Sequence, residues 1–234
     1  MTYSLDREND SGIKYAQPSL AEMTKAAISL LSANPKGFVL QVEGGKVDWA
    51  AHANDAGALI YDQIAFDEAI SIVLGFARKD QNTLVIITTD HGNSNPGLFY
   101  GSKANQNFDR IQQFKHSNEW ILKGITKDLG AAFLIDKIKE AQGYAITEDE
   151  AKAILKHYED LDEQGLYNPR KLPYRELALV QGRYISVGWG AMDHSADFVE
   201  LAMYGPGSEL LNSLVRNFEL HSLMLKAAGI YREG

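Results

Sequence analysis

The run "NTLVIITTDHGN", residues 82–93, constrains the fold more than any other stretch. Its continuous, β-branched core from Leu84 to Ile87 lacks the alternation of a half-solvated strand and suits a central strand covered on both faces. The preceding segment "DQIAFDEAISIVLGFARKD" places Ile64, Ile70, Val73, Leu74 and Ala77 at helical spacing and predicts an amphipathic helix with that buried face. Further upstream, Ser19 with Glu22 three residues on forms a capping box. Leu20, Met23, Ala27, Leu30 and Leu31 then follow with helical period until Asn34-Pro35 stops the helix. The short apolar run "GFVLQVEG" comes next and reads as a strand. Helix, strand, helix, strand is the α/β pattern.

With 234 residues, 45% of them hydrophobic, the chain is long enough for one sizeable domain or one domain with an insertion. Residues 1–17 are polar and read as a tail or linker. Residues 18–98 and 186–234 share the α/β style, the latter through the strand "DFVELAMYGPG" and the helical turns of "SELLNSLVRNFELHSLMLKAAGI". Residues 99–185 read as a mainly helical insertion, with Thr147 and Glu150 as a second capping box and a Tyr/Pro/Arg-rich loop "GLYNPRKLPYRE". A net charge of −8, with no Lys/Arg stripe, argues against nucleic acid as a partner. No apolar run reaches the length of a membrane span, and no export signal precedes Ser19.

The chemistry-bearing residues gather at strand ends. In α/β sheets functional groups collect beyond the carboxyl ends of strands, and Glu43, Asp90, His91 and His194 lie next to such ends. In "VEGGKVDWAAH", residues 42–52, a helical turn would put Asp48 and His52 four residues apart on one face, so that a carboxylate oxygen and an imidazole nitrogen can share a cation. With no cysteine, any metal must be held by His, Asp and Glu. Asp90 and His91 are adjacent and would alternate in a strand, so both can be ligands only if the strand has already ended.

"SLAEMTKAAISLLSANPKGF", "QVEGGKVDWAAHAND", "LVIITTDHGN" and "DHSADFVELAMYGPG", in this order, resemble the carboxyl-terminal half of alkaline phosphatases. The resemblance implies a partial three-layer αβα sandwich. It implies that Glu43 binds Mg2+, that Asp48, His52 and His194 hold one Zn2+, and that Asp90 and His91 are the two ligands this half gives to a second Zn2+. It also places the residue after the first zinc-binding Asp near the phosphate, where relatives often carry Lys or His and this chain has Trp49. The implied activity is hydrolysis of phosphate monoesters through a phosphoserine, on a serine supplied by the amino-terminal half. The implied partners are that missing half and, as an option the resemblance leaves open, a second copy in a homodimer, and the implied location is periplasmic or extracellular.

Asp10-Ser11-Gly12 matches the nucleophile motif in letters, but a site serine needs a strand before it and a helix after it, and the polar tail predicts neither. His116, His157 and His221 lack an acidic partner at ligand spacing and read as surface or partly packed residues. Acidic runs such as "TEDEA" and "HYEDLDE" read as solvated helix faces. Two other readings remain open at this point. One is a non-catalytic metal-binding or interaction module, with contacts made by the 99–185 segment; the other is a related hydrolase such as a phosphodiesterase or sulfatase.

Overall fold

The computed structural model describes residues 1–162, 165 and 168–230. In chain order the elements are α1 (Ser4–Asn9), α2 (Ser11–Ala16), α3 (Leu20–Leu31), α4 (Gly45–His52), α5 (Ala56–Asp80) and β1 (Val85–Thr88). These are followed by β2 (Pro96–Leu98), α6 (Ala104–Asp109), α7 (Asn118–Leu122), α8 (Ala131–Gln142), α9 (Glu148–Glu159) and α10 (Tyr174–Ile185). The chain ends with β3 (Val187–Trp189), β4 (Leu201–Tyr204) and α11 (Glu219–Ala227). They form two compact units: one of Met1–Ser19, Glu43–Ala65 and Asn93–His194, the other of Leu20–Val42, Phe66–Gly92 and Ser195–Gly234.

The first unit is helical around a core that includes Leu5, Ile121, Leu122, Leu134, Ile138, Ile154, Tyr158 and Leu177. The helices of the 99–185 segment supply most of that core, together with residues from the amino terminus and from the start of α5. Antiparallel β2 and β3 pair Pro96 with Trp189, Gly97 with Gly188 and Leu98 with Val187. α9 opens on the predicted capping box: the Thr147 hydroxyl accepts from the Glu150 backbone N–H, while Glu150 accepts from the Thr147 N–H. Polar groups cross this core as a closed network. Asn118 Oδ1 accepts from both Gln181 and Gln142 side chains, and Gln142 Oε1 accepts from Gln181 Nε2 and from the Tyr144 hydroxyl. No buried side-chain polar atom among the described residues lacks a partner, which is what makes such a network tolerable in a core.

The expected polar tail is instead two short helices. Tyr3 and Leu5 are buried, and Asp6 is fixed by the backbone N–H and hydroxyl of Ser117. One or two apolar residues per turn are too few to show a period, so only tertiary burial reveals the order. The Asp10 side chain caps α2 by accepting from Ile13 N–H, so a helix does follow Ser11, contrary to the expectation, while no strand precedes it.

In the second unit β1 and β4 are antiparallel, with Val85 opposite Tyr204 and Thr88 opposite Leu201. β4 ends where predicted. Gly205 has φ +98°, and a Cβ there would lie 2.2 Å from the Thr83 carbonyl oxygen, so the turn admits only glycine. α3 forms as expected and buries Thr24 and Ile28. Three readings are corrected. "GFVLQVEG" pairs with no strand among the described residues, and Val39 is 93% exposed, because an apolar run becomes a strand only when a neighbour completes its ladder. β1 is not covered on both faces: Val85 is buried, Ile86 and Ile87 are half-buried and Thr88 is exposed. Ile64, assigned to the buried face of α5, is exposed, and Ala69, not assigned to it, is buried, while Ala77 is buried as assigned. In the acidic and Tyr/Pro/Arg-rich stretches, Glu163, Leu166 and Tyr167 lie outside the described residues.

Candidate metal site

α4 begins at Gly45 after the turn that carries Glu43. The turn is narrow: a Cβ on Gly45 would come within 3.0 Å of Glu43 Oε1, so the glycine leaves room for that carboxylate. Asp48 lies in the first turn of α4, where its charge suits the helix N-terminus, and His52 closes the helix. The helical turn inferred from spacing is present, and it sets His52 Nε2 3.6 Å from Asp48 Oδ2. That is too long for a hydrogen bond. It is close to the roughly 3.3 Å that separates two donors each about 2.0–2.1 Å from one tetrahedral zinc.

Each ligand candidate is oriented from behind. His52 Nδ1 lies 2.6 Å from the Met192 carbonyl oxygen, so Nδ1 carries the proton and donates it, leaving Nε2 with its lone pair toward Asp48. Asp48 Oδ1 accepts from Asn93 Nδ2 at 2.6 Å, which leaves Oδ2 toward His52. Asn54, in the turn after α4, donates to the Ala191 carbonyl at 2.9 Å and ties the Ala191–His194 segment to that turn. His194 lies beside this pair: its ring centroid is 5.0 Å from that of His52, and a ligating atom of His194 lies within 4.8 Å of one of Asp48. Asn93, Asn54 and the Met192 carbonyl were missed by reading the sequence. Only the "HAND" and "HGN" letters hinted at the asparagines, and a backbone carbonyl has no sequence signal.

Trp49 is 58% exposed and is held by a cation–π contact, with Lys46 Nζ 4.1 Å from its ring and 4.3 Å from that of Tyr3. Burial between the two rings lowers the Lys46 pKa from its ordinary value, while the carboxylates of Glu119, Asp62 and Asp6 oppose that shift. The buried carboxyls nearby are unusual. Asp55, accepting from the backbone N–H groups of Ala58 and Asn118, is pushed up to about 7 by burial. Asp62, accepting from the backbone and hydroxyl of Ser4, is pushed up to about 6 by the same cause.

In the other unit Asp90 and His91 follow the end of β1, so the strand has stopped before them as the spacing argument required. His91 Nε2 lies 3.3 Å from Asp90 Oδ2; Asp90 is largely exposed and His91 is half-buried. Glu43 is exposed ahead of α4. Of the remaining histidines, His116 and His157 make contacts outside the site and His221 is exposed. His116 stacks on Trp120 at 4.1 Å and pairs with Asp6 at 3.2 Å, an acidic partner brought from 110 residues away. His157 contacts the Lys171 carbonyl at 2.8 Å.

Comparison with known proteins gives a consistent neighbourhood. The family model described as alkaline phosphatase matches residues 1–230. Alkaline phosphatase 4 of Bacillus subtilis is 29% identical over 225 residues, which are 95% of this chain and 45% of that protein. The Escherichia coli K12 alkaline phosphatase is 49% identical over 87 residues, 37% of this chain and 18% of that protein. The crystal structure of Thermus thermophilus alkaline phosphatase superposes with a TM-score of 0.85 at 28% identity, covering 100% of this chain and 51% of that one. A mutant of TAB5 alkaline phosphatase with magnesium bound in its M3 site superposes with a TM-score of 0.52 at 25% identity, over 91% of this chain and 42% of that one. The chain spans about half the length of the full-coverage relatives it matches.

Proposed function

The chain belongs to the alkaline phosphatase family, and from that premise we propose that the protein containing it is a metal-dependent hydrolase of phosphate monoesters. In this reading Asp48, His52 and His194 bind one zinc, Asp90 and His91 contribute to a second, and Glu43 contributes to a magnesium site. The observation that carries the reading is the arrangement in the first unit: His52 Nε2 lies 3.6 Å from Asp48 Oδ2, the Met192 carbonyl and the Asn93 amide turn these two atoms toward one another, and the His194 ring stands beside them. The donor set suits zinc, whose catalytic sites take three protein ligands and keep a fourth position open. A zinc ion there supplies Lewis-acid stabilisation of oxygen on a phosphoryl group.

The chain's own residues then have defined tasks. The Met192 carbonyl, by accepting from Nδ1–H, selects the tautomer of the neutral His52 ring in which Nε2 is the ligating atom. Asn93 holds one oxygen of Asp48 and so fixes the direction of the other. Trp49, exposed beside Asp48, offers an apolar wall to the organic part of an ester where other family members carry a cation or an imidazole. The serine that attacks phosphorus and becomes phosphoserine comes, in this reading, from the other half of the fold. The open ladder positions of Phe38–Val42 and the exposed Val39 favour a partner segment that adds strands. Export to a periplasmic or extracellular space follows from the same reading. Among the described residues no helix is long and apolar enough to cross a membrane.

The test is metal content by elemental analysis after dialysis against zinc-free buffer, for this chain and for Asp48→Ala and His52→Ala. Near-stoichiometric zinc that both substitutions abolish supports the reading. If zinc is absent, and co-expression with the other half of the fold restores neither zinc nor phosphate monoester hydrolysis, the reading fails.

A further inference from the structure

The first unit contains a cavity of about 510 Å³, lined by residues of α6, the turn after it, the α8 end and α10, none of which is a candidate metal ligand. Its floor is rigid. Gln142 is 1% exposed and locked into the amide network, and the buried Tyr144 donates its hydroxyl to Gln142 at 2.7 Å. The Tyr184 ring stacks on Tyr144 with centroids 4.7 Å apart at 15°, and its hydroxyl donates to Glu150 at 2.7 Å. Both rings are thus fixed at their polar ends, which makes a preset aromatic wall.

The rim has the opposite character. The side chains of Gln106, Asp109 and Gln113 make no hydrogen bond to any other described residue, and Arg110 spends one N–H on the Tyr184 carbonyl at 3.3 Å. Two amides that each donate and accept, one acceptor-only carboxylate and a guanidinium with N–H groups to spare match hydroxyl groups, which need a donor and an acceptor apiece. Asp109 and Arg110 cancel in charge, and Glu150, behind Tyr184, is paired with Arg183 at 3.0 Å, so the cavity offers an anion no net attraction. Its volume lies within the roughly 300–1,000 Å³ of small-ligand sites.

We propose that this cavity binds a neutral saccharide, with a sugar ring's C–H face against the Tyr184 and Tyr144 wall and its hydroxyls on Gln106, Asp109, Arg110 and Gln113. The experiment is calorimetric titration of the purified 234-residue chain with glucose, maltotriose and chitotriose, with inorganic phosphate and adenosine as controls. The expected result is saturable binding of at least one sugar, weakened about tenfold or more in Asp109→Asn and in Gln106→Ala. Both side chains are exposed, and unchanged circular dichroism separates lost binding from lost folding. Three results overturn the proposal: no sugar binding up to on the order of 10 mM, affinity in both variants unchanged from that of the native chain, or phosphate or adenosine displacing the sugar. The readout is binding alone, so it stands or falls independently of the metal site.

Discussion

Asp55 shows how much one residue's surroundings change its chemistry. Burial raises its pKa to about 7 in the folded chain, against about 3.9 for an unfolded Asp. Between those values the folded state binds more protons than the unfolded one, so this group's contribution to stability is full below about pH 4 and is lost as pH rises towards 7. Urea unfolding at pH 4.5 and pH 7.5 should therefore show a steeper loss of stability for the native chain than for Asp55→Asn, which cannot ionise. Equal slopes would refute the shift. Gly205 makes a second residue-scale prediction. With φ at +98° and the Thr83 carbonyl 2.2 Å from a Cβ, Gly205→Ala should destabilise by about 1–3 kcal/mol, measured as a drop in the denaturation midpoint.

Among the elements, α9 and α4 were the most legible. Thr147 and Glu150 announced the start of α9, and Thr147→Ala should cost about 1 kcal/mol, read from thermal unfolding, because the Glu150 backbone N–H loses its acceptor. The i, i+4 spacing of Asp48 and His52 foretold the shared face of α4, since a helix repeat is a local property. Strand elements fared less well. Leu84–Ile87 was found, but its burial depends on what lies over it, and "GFVLQVEG" has strand composition without a ladder partner among the described residues. Strand identity is decided by neighbours distant in sequence, which composition does not report. The first seventeen residues erred the other way: they looked like a tail, yet Leu5 is fully buried.

At the scale of the molecule, the prediction concerns linkage between metal and folding. A metal that binds only the folded chain raises its stability by RT ln(1 + [metal]/Kd), about 2.7 kcal/mol at a hundredfold excess over Kd. Micromolar zinc should therefore raise the melting temperature of this chain, chelation should reverse the rise, and Asp48→Ala should show neither change. A zinc-independent melting temperature would argue against a preformed site. Leu134, fully buried in the helical unit, tests the core around it: Leu134→Ala should cost about 2–5 kcal/mol.

By itself the sequence determined the family, through four ordered motifs, and the local geometry of Asp48 with His52, because helical spacing and motif letters are properties of adjacent residues. It determined the capping of α9 for the same reason. The family resemblance implied that His194 joins His52 across 142 positions, but only the tertiary structure set their rings 5.0 Å apart and showed that a backbone carbonyl at Met192 orients the imidazole. It alone showed that Asp6 answers His116 and that the 99–185 helices share one core with the chain's first turns. Those contacts arise from packing apolar faces that the chain brings together from far apart, and no local pattern records which faces will meet.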